Sequence, residues 1–221
     1  MKRPGVEEIR NSPAFRPVKS LPFSGILPFV LSNIRQRNLY TLGFAILSIA
    51  GLTALTGISI SALSSGRIAF GSWFSAFMWG SLAGGVLIIP VHEGLHALGF
   101  LLIGARKIRF GADLSQAIVY ATAKDFAAGR KGFSLVALAP VAVINLASLP
   151  FIFGGSARMQ VFLLTMLFLH NIMCIGDFAM LSFFRQHKEK ELYTFDDTVS
   201  LTAWFYERIP SGEQDQQNRD Q

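Results

Sequence analysis

The sequence predicts an all-α membrane protein of four transmembrane helices, with a short cytoplasmic β-hairpin-like loop between helices 2 and 3. Three observations predict it. The 221 residues are 51% hydrophobic and only 15% charged, with a mean hydropathy of +0.42, which is more apolar than an ordinary soluble domain. Four apolar runs, at about 40–63, 72–103, 133–153 and 160–184, are each long enough to cross roughly 30 Å of hydrocarbon as a helix. The positive charges are grouped: seven Lys or Arg lie in 1–39, six in 104–132 and five from 185 onward, while Arg67 and Arg158 stand alone in the two short loops. Basic segments stay in the cytoplasm, so both termini and the middle loop are expected there.

Taken in order, residues 1–39 read as a basic cytoplasmic N-terminal arm. Pro4, Pro13, Pro17, Pro22 and Pro28 are too frequent for one continuous helix, and the apolar stretch LPFSGILPFVL at 21–31 suits the membrane interface rather than its centre. The first apolar run begins behind this arm and is too long for the core of a cleaved signal peptide, so it reads as an anchor. The second run carries Gly80 and Gly84, a small-xxx-small spacing that lets another helix approach closely. Pro90 then removes a backbone hydrogen bond just before His92, which predicts a kink or a local opening. Between the second and third runs, KIRFGADLSQAIVYATA contains β-prone pieces near 107–111 and 116–121 around Gly111, Ala112 and Asp113, a short hairpin or extended loop. Beyond the fourth run, ELYTFDDTVSLTAWFYERI fits one amphipathic helix capped by Asp196 or Asp197. The polar end, SGEQDQQNRDQ, fits disorder. The expected division is thus 1–39, a membrane domain at 40–184, and a cytoplasmic tail at 185–221.

The formal net charge of +6 follows this topology and favours contact with anionic lipid. No basic face interleaved with aromatics lies outside the membrane-flanking segments, so nucleic acid is not an expected partner. Cys174 is the one cysteine, which excludes an intramolecular disulfide and a CxxC motif.

Within the second run, VHEGLHALGF places His92, Glu93 and His96 in an H-E-x-x-H pattern. On a helix, positions i and i+4 share one face, so both imidazoles can reach one ion. Zinc takes neutral imidazole nitrogens, and a catalytic zinc site keeps a position open for water. Glu93, beside the first histidine, is placed to take a proton from that water. Two satisfied core histidines are the plainer alternative. A carboxylate at membrane depth is costly, and this favours the functional reading.

A third ligand is needed. Asp177 is the only other acid in the apolar runs. It lies eight residues before Arg185, and His96 lies eight before Gly104, so both sit roughly 12 Å below the same boundary. His170 and Cys174 share a helix face with Asp177. His170 lies about 10 Å deeper along the axis, while Cys174, one turn away, stays open as an alternative ligand. Asn171 and Asn145 are buried amides that suit contacts to a substrate carbonyl or oxyanion, or hydrogen bonds between helices.

HEGLH on a membrane helix, the Gly176-Asp177 pair on a later one and AlaLeuAlaPro at 137–140 together resemble a family of small bacterial membrane proteins described as "putative zincin peptidases", formerly a domain of unknown function. That family is similar in turn to site-2 protease-type intramembrane zinc metalloproteases. The resemblance covers about 70–185. It implies His92, His96 and Asp177 as zinc ligands, Glu93 as general base, and a multi-pass protein of the bacterial inner membrane. In site-2 proteases the corresponding acid is followed by glycine; here Gly176 precedes Asp177 and Phe178 follows it.

The expected function is therefore an intramembrane or membrane-embedded zinc metalloprotease, with Zn2+ as cofactor. Its partners would be the lipid bilayer and a membrane protein or peptide substrate, hydrolysed by water that Glu93 activates. Two other classes stand beside it: a non-catalytic, zinc-stabilised membrane adaptor, and a metal or proton transporter. Four spans without inverted repeats make the transporter the less favoured.

Overall fold

Asn38 starts the longest helix of the computed structural model, which describes residues 3–113, 118–197 and 199–210. The helices are α1 (Val6–Asn11), α2 (Ile26–Ile34), α3 (Leu39–Ser64), α4 (Phe70–Leu82), α5 (Ile89–Leu102), α6 (Arg130–Gly154), α7 (Ala157–Met173) and α8 (Ile175–Gln186). The Asn38 side chain accepts hydrogen bonds from the N–H groups of Tyr40 and Thr41, and Thr41 Oγ1 accepts from Asn38 N–H at 3.1 Å, a reciprocal cap that settles where α3 begins. Its outward face carries Leu42, Ile46, Ile49 and Ile60, a surface that hydrocarbon solvates and water does not.

Helices α3 and α6 are each long and apolar enough to cross a membrane. Two further pairs qualify as single spans with a bend. A π-helical turn at Ala83–Leu87 joins α4 to α5 at 41°, and a break at Cys174 joins α7 to α8 at 42°. Among the described residues there are thus two candidate spans, or four if each bent pair is one. The first halves of the bent pairs are locked together. A Cβ on Gly80 would meet the Phe162 carbonyl at 2.5 Å, and one on Gly84 would press on the Met166 carbonyl, so only glycine lets α4 and α7 approach this closely. Beyond the bends the halves part: α5 packs on α6, and α8 packs on α2 and α3. Ser182 donates to the Asn33 carbonyl, and Gln186 to Asn33 Oδ1, both at 2.8 Å.

The architecture is not all-α. Strands β1 (Phe15–Pro22), β4 (Ala128–Gly129), β5 (Glu191–Asp197) and β6 (Thr202–Arg208) form an antiparallel sheet in the order β1-β6-β5-β4. Strands β2 (Ile108–Asp113) and β3 (Ile118–Ala123) form a separate hairpin, with Ile108 opposite Ala123; the intervening residues 114–117 lie outside the described ones. The hairpin falls where the sequence suggests it. The amphipathic helix expected after residue 185 is instead the β5–β6 pair. Its true period is two: Leu192, Thr194, Ala203 and Phe205 are buried, and Phe195 lies opposite Trp204. Aromatic and β-branched residues favour this pleated, two-sided burial. Asp197 does cap, but it caps the turn: its Oδ1 accepts from the N–H groups of Val199 and Ser200. The polar end at 211–221 lies outside the described residues.

The segment expected as a basic N-terminal arm also enters the sheet. β1 is an edge strand paired only to β6, with a register shift between Pro17 and Lys19, the position where a proline is tolerated. Helix α2, which covers most of the apolar stretch at 21–31, buries Phe29 and Val30 in a core with Leu21, Phe183, Phe184, Leu192 and Phe205. Leu27 and Leu31 face outward. This cluster welds the sheet to α8. Ile9, Phe15, Ala127 and Phe195 form a second core on the other face.

Two expectations follow. Gly84→Ala lowers stability in detergent by about 1–3 kcal/mol through overpacking, whereas Gly85→Ala, whose Cβ meets nothing within 4 Å, is near neutral; thermal unfolding of the two variants checks this. Glu207, 3% exposed, is paired with Lys190 at 2.6 Å and with Arg16. Burial raises its carboxyl, but the two cations more than offset this, so its pKa lies below the ordinary value. A depressed folded-state pKa gives stability that is present above the unfolded pKa, about 4.3, and lost as pH falls through the folded one. Glu207→Gln accordingly costs about 1–2 kcal/mol at neutral pH, a deficit that closes on acidification below pH about 4.

Candidate metal centre

Helix α5 starts directly after the π-helical turn, with Pro90 in its first turn, where the missing N–H costs nothing. His92, Glu93 and His96 are 7%, 7% and 9% exposed. Gly99, one turn beyond His96, brings α5 onto α6: a Cβ there would stand 3.0 Å from Val136 Cα. This closeness lets His96 Nδ1 reach the Val136 carbonyl at 3.0 Å. A carbonyl only accepts, so Nδ1 carries the proton and the neutral ring presents an unprotonated Nε2. Asp177 arrives from the first turn of α8. Its Oδ1 lies 3.3 Å from His96 Nε2 and its Oδ2 3.6 Å from His92 Nε2, while the two Nε2 atoms are 3.0 Å apart.

The donor set fits one divalent ion. Tetrahedral ligands at zinc–nitrogen distances stand about 3.3 Å from one another, close to the three separations seen. Without a shared cation, two lone pairs and a carboxylate would face each other at contact distance in an apolar surround. The outer partners also fit: His96 is oriented by a backbone carbonyl, and His92 Nδ1 lies 3.1 Å from His170 Nε2, the kind of hydrogen bond that fixes a ligand's tautomer.

His92, His170 and Cys174 form a second compatible donor group, with Cys174 Sγ at 3.9 Å from His92 Nδ1 and 3.7 Å from His170 Nε2. The two groups share His92 but use opposite ring nitrogens. Access separates them. A cavity of about 900 Å³ is lined by His92, Glu93, His96 and Asp177, and neither His170 nor Cys174 lies on its wall. Glu93 faces the same space, 4.0 Å from His92 Nε2, and accepts a hydrogen bond from the backbone of Ala121 on β3.

Asn145 and Asn171 are elsewhere. Their side chains hydrogen-bond each other in both directions, at 2.7 and 3.1 Å, and Asn145 also donates to the Val141 carbonyl. They join α6 to α7 and do not line the cavity. Residues that the sequence reading leaves out do line it: Thr122 on β3 and Thr194 on β5, together with Asp196, which the reading names only as a helix cap. Strand alternation in ELYTFDD is the signal that points to Thr194 and Asp196.

Elemental analysis of the purified protein separates the two donor groups. Asp177→Asn loses the ion and Cys174→Ser keeps it, and His170→Ala weakens zinc affinity about 10- to 100-fold by removing the partner of His92. Competition with a chromogenic chelator measures this.

A search of curated proteins and a search of solved structures find no match. Residues 85–192 match the model of a family described as "Putative zincin peptidase". The match begins in the π-helical turn, ends in β5 and holds every donor named above. It supports a zinc metallopeptidase in general terms. The likeness to the "Putative zincin peptidase" family is thus carried by residues 85–192, just under half of the chain.

Proposed function

We propose that this chain is a membrane-embedded zinc metallopeptidase that hydrolyses peptide bonds of membrane-associated proteins or peptides. The observation that carries the reading is the convergence of His92, His96 and Asp177 beside Glu93 on one cavity wall. His92, His96 and Asp177 would hold the ion. Bound there, zinc supplies a Lewis acid that polarises the scissile carbonyl and lowers the pKa of water towards about 7.

The protein's own groups do the rest. Glu93 takes the proton of the attacking water and passes it to the leaving amine. Ala121 N–H holds the Glu93 carboxylate towards the cavity. Strand β3, which forms part of the wall, offers an edge along which an unwound substrate segment adds as a strand. An extended substrate exposes the carbonyl that a helix would hide. The apolar walls, Phe100, Phe126, Phe133 and Met180 among them, keep bulk water from the reacting bond.

The three most basic segments meet at one end of the helices, because the N-terminal segment and the C-terminal tail share a sheet whose β4 leads into α6. This supports a cytoplasmic location for that end, and with it entry of water and release of product on that side.

Replacing Glu93 with Gln removes the base and leaves the ion's ligands. In proteoliposomes, cleavage of a membrane-inserted peptide falls by about 10²-fold or more, with zinc content unchanged. Undiminished cleavage would remove the mechanism, and zinc bound without turnover in the wild type would favour an adaptor.

A further inference from the structure

We propose that Asp196 is a specificity-determining residue, one that binds a cationic group of the peptide next to the scissile bond: a Lys or Arg side chain, or a free amino terminus. This rests on the peptidase reading of the metal centre. Its basis is a juxtaposition that neither the motif nor the family match contains, since Asp196 lies beyond residue 192.

Asp196 stands on β5 opposite Ala203 and lines the same cavity as Glu93 and Asp177. Thr122 Oγ1 donates to its Oδ2 at 2.5 Å. The preceding residue, Ala121, is the one whose backbone holds Glu93. Consecutive residues of β3, about 3.3 Å apart along the strand, therefore orient the two carboxylates. A peptide extended along β3 with its scissile carbonyl at Glu93 brings a neighbouring residue to Asp196.

Charge gives that neighbour its chemistry. The described residues of the wall include three acids, Glu93, Asp177 and Asp196, two histidines and Tyr120, and among these described residues there is no lysine or arginine. Asp177 shares the ion with the histidines, and Glu93 handles the proton. Asp196 has no such task. Arg109, opposite Thr122 across the hairpin, is exposed and is not part of the wall. A carboxylate in an apolar cavity is costly to hold ionised. Burial pushes the Asp196 carboxyl above its ordinary range, and the Thr122 hydroxyl only partly opposes this. A substrate cation supplies the missing counter-charge, and a neutral or acidic residue at the same place does not.

Binding tests this separately from turnover. Full-length E93Q protein, zinc-loaded in detergent, is titrated with fluorescent apolar peptides that carry Lys, norleucine or Glu at one position, each with a free or acetylated amino terminus. Expected is at least about tenfold tighter binding of a cationic peptide over its acetylated norleucine counterpart. D196N in the E93Q background abolishes the preference without weakening the norleucine peptide, and D196E retains it. The acetylated series shows whether side chain or terminus is read. Equal affinity for all the peptides, no binding of any, or a preference that survives D196N overturns the proposal. Cleavage by the wild type is scored in parallel: selective binding without cleavage sinks the peptidase reading and leaves the cation site standing.

Discussion

Two imidazoles and two carboxylates crowded together among apolar helices are costly neighbours, and a cation shared between them would offset that cost. Much of the fold serves that constraint. Each bent helix pair holds its first half tightly and frees its second half. The glycine contacts of α4 on α7 anchor the first halves. The turn at Ala83–Leu87 and the break at Cys174 then redirect α5 and α8 onto different partners. The candidate ligands sit just past those bends, His92 and His96 on α5 and Asp177 at the start of α8. The space between the two helices is the cavity.

The sheets complete this arrangement. The β1-β6-β5-β4 sheet is joined to α8 and α2 by an aromatic core in which Phe205 is fully buried and Phe183 and Phe184 nearly so. Asn33 binds α2 to α8 through Ser182 and Gln186. Asp177 is thereby positioned by residues from both ends of the chain. Strand β3 of the hairpin adds to the cavity wall, and Ala121 and Thr122 contact two different acids. Glu93 on a helix and Asp196 on a sheet thus line one space, a concave site with apolar walls and a few convergent polar groups.

His92 has a particular place in this network. Its two ring nitrogens belong to two donor groups, one facing the cavity and one facing His170 and Cys174. His170 is fully buried, and its role as a hydrogen-bond partner of His92 needs no ion of its own. Deep within the bundle, it reaches the candidate metal centre through the His92 ring, 3.1 Å away, the position of an outer partner of a ligand.

By itself, the sequence determined whatever depends on spacing along one helix. The i, i+4 histidines with their glutamate, the apolar runs, the small-residue contact at Gly80 and Gly84 and the hairpin after α5 are all local patterns. The matched depth of Asp177 and His96 is nearly so, because rise per residue is constant. Tertiary structure alone decided the rest. The tail's period of two marks strands, but its pairing with β1, some 180 residues earlier, was decided by the fold, because no periodicity in a single segment reports a partner that distant. Asn145 and Asn171 were legible as buried amides, but only their packing showed that they satisfy each other. Asp196 reads as a cap in sequence and stands as a cavity acid in space, because a side chain's surroundings are set by the element that packs against it.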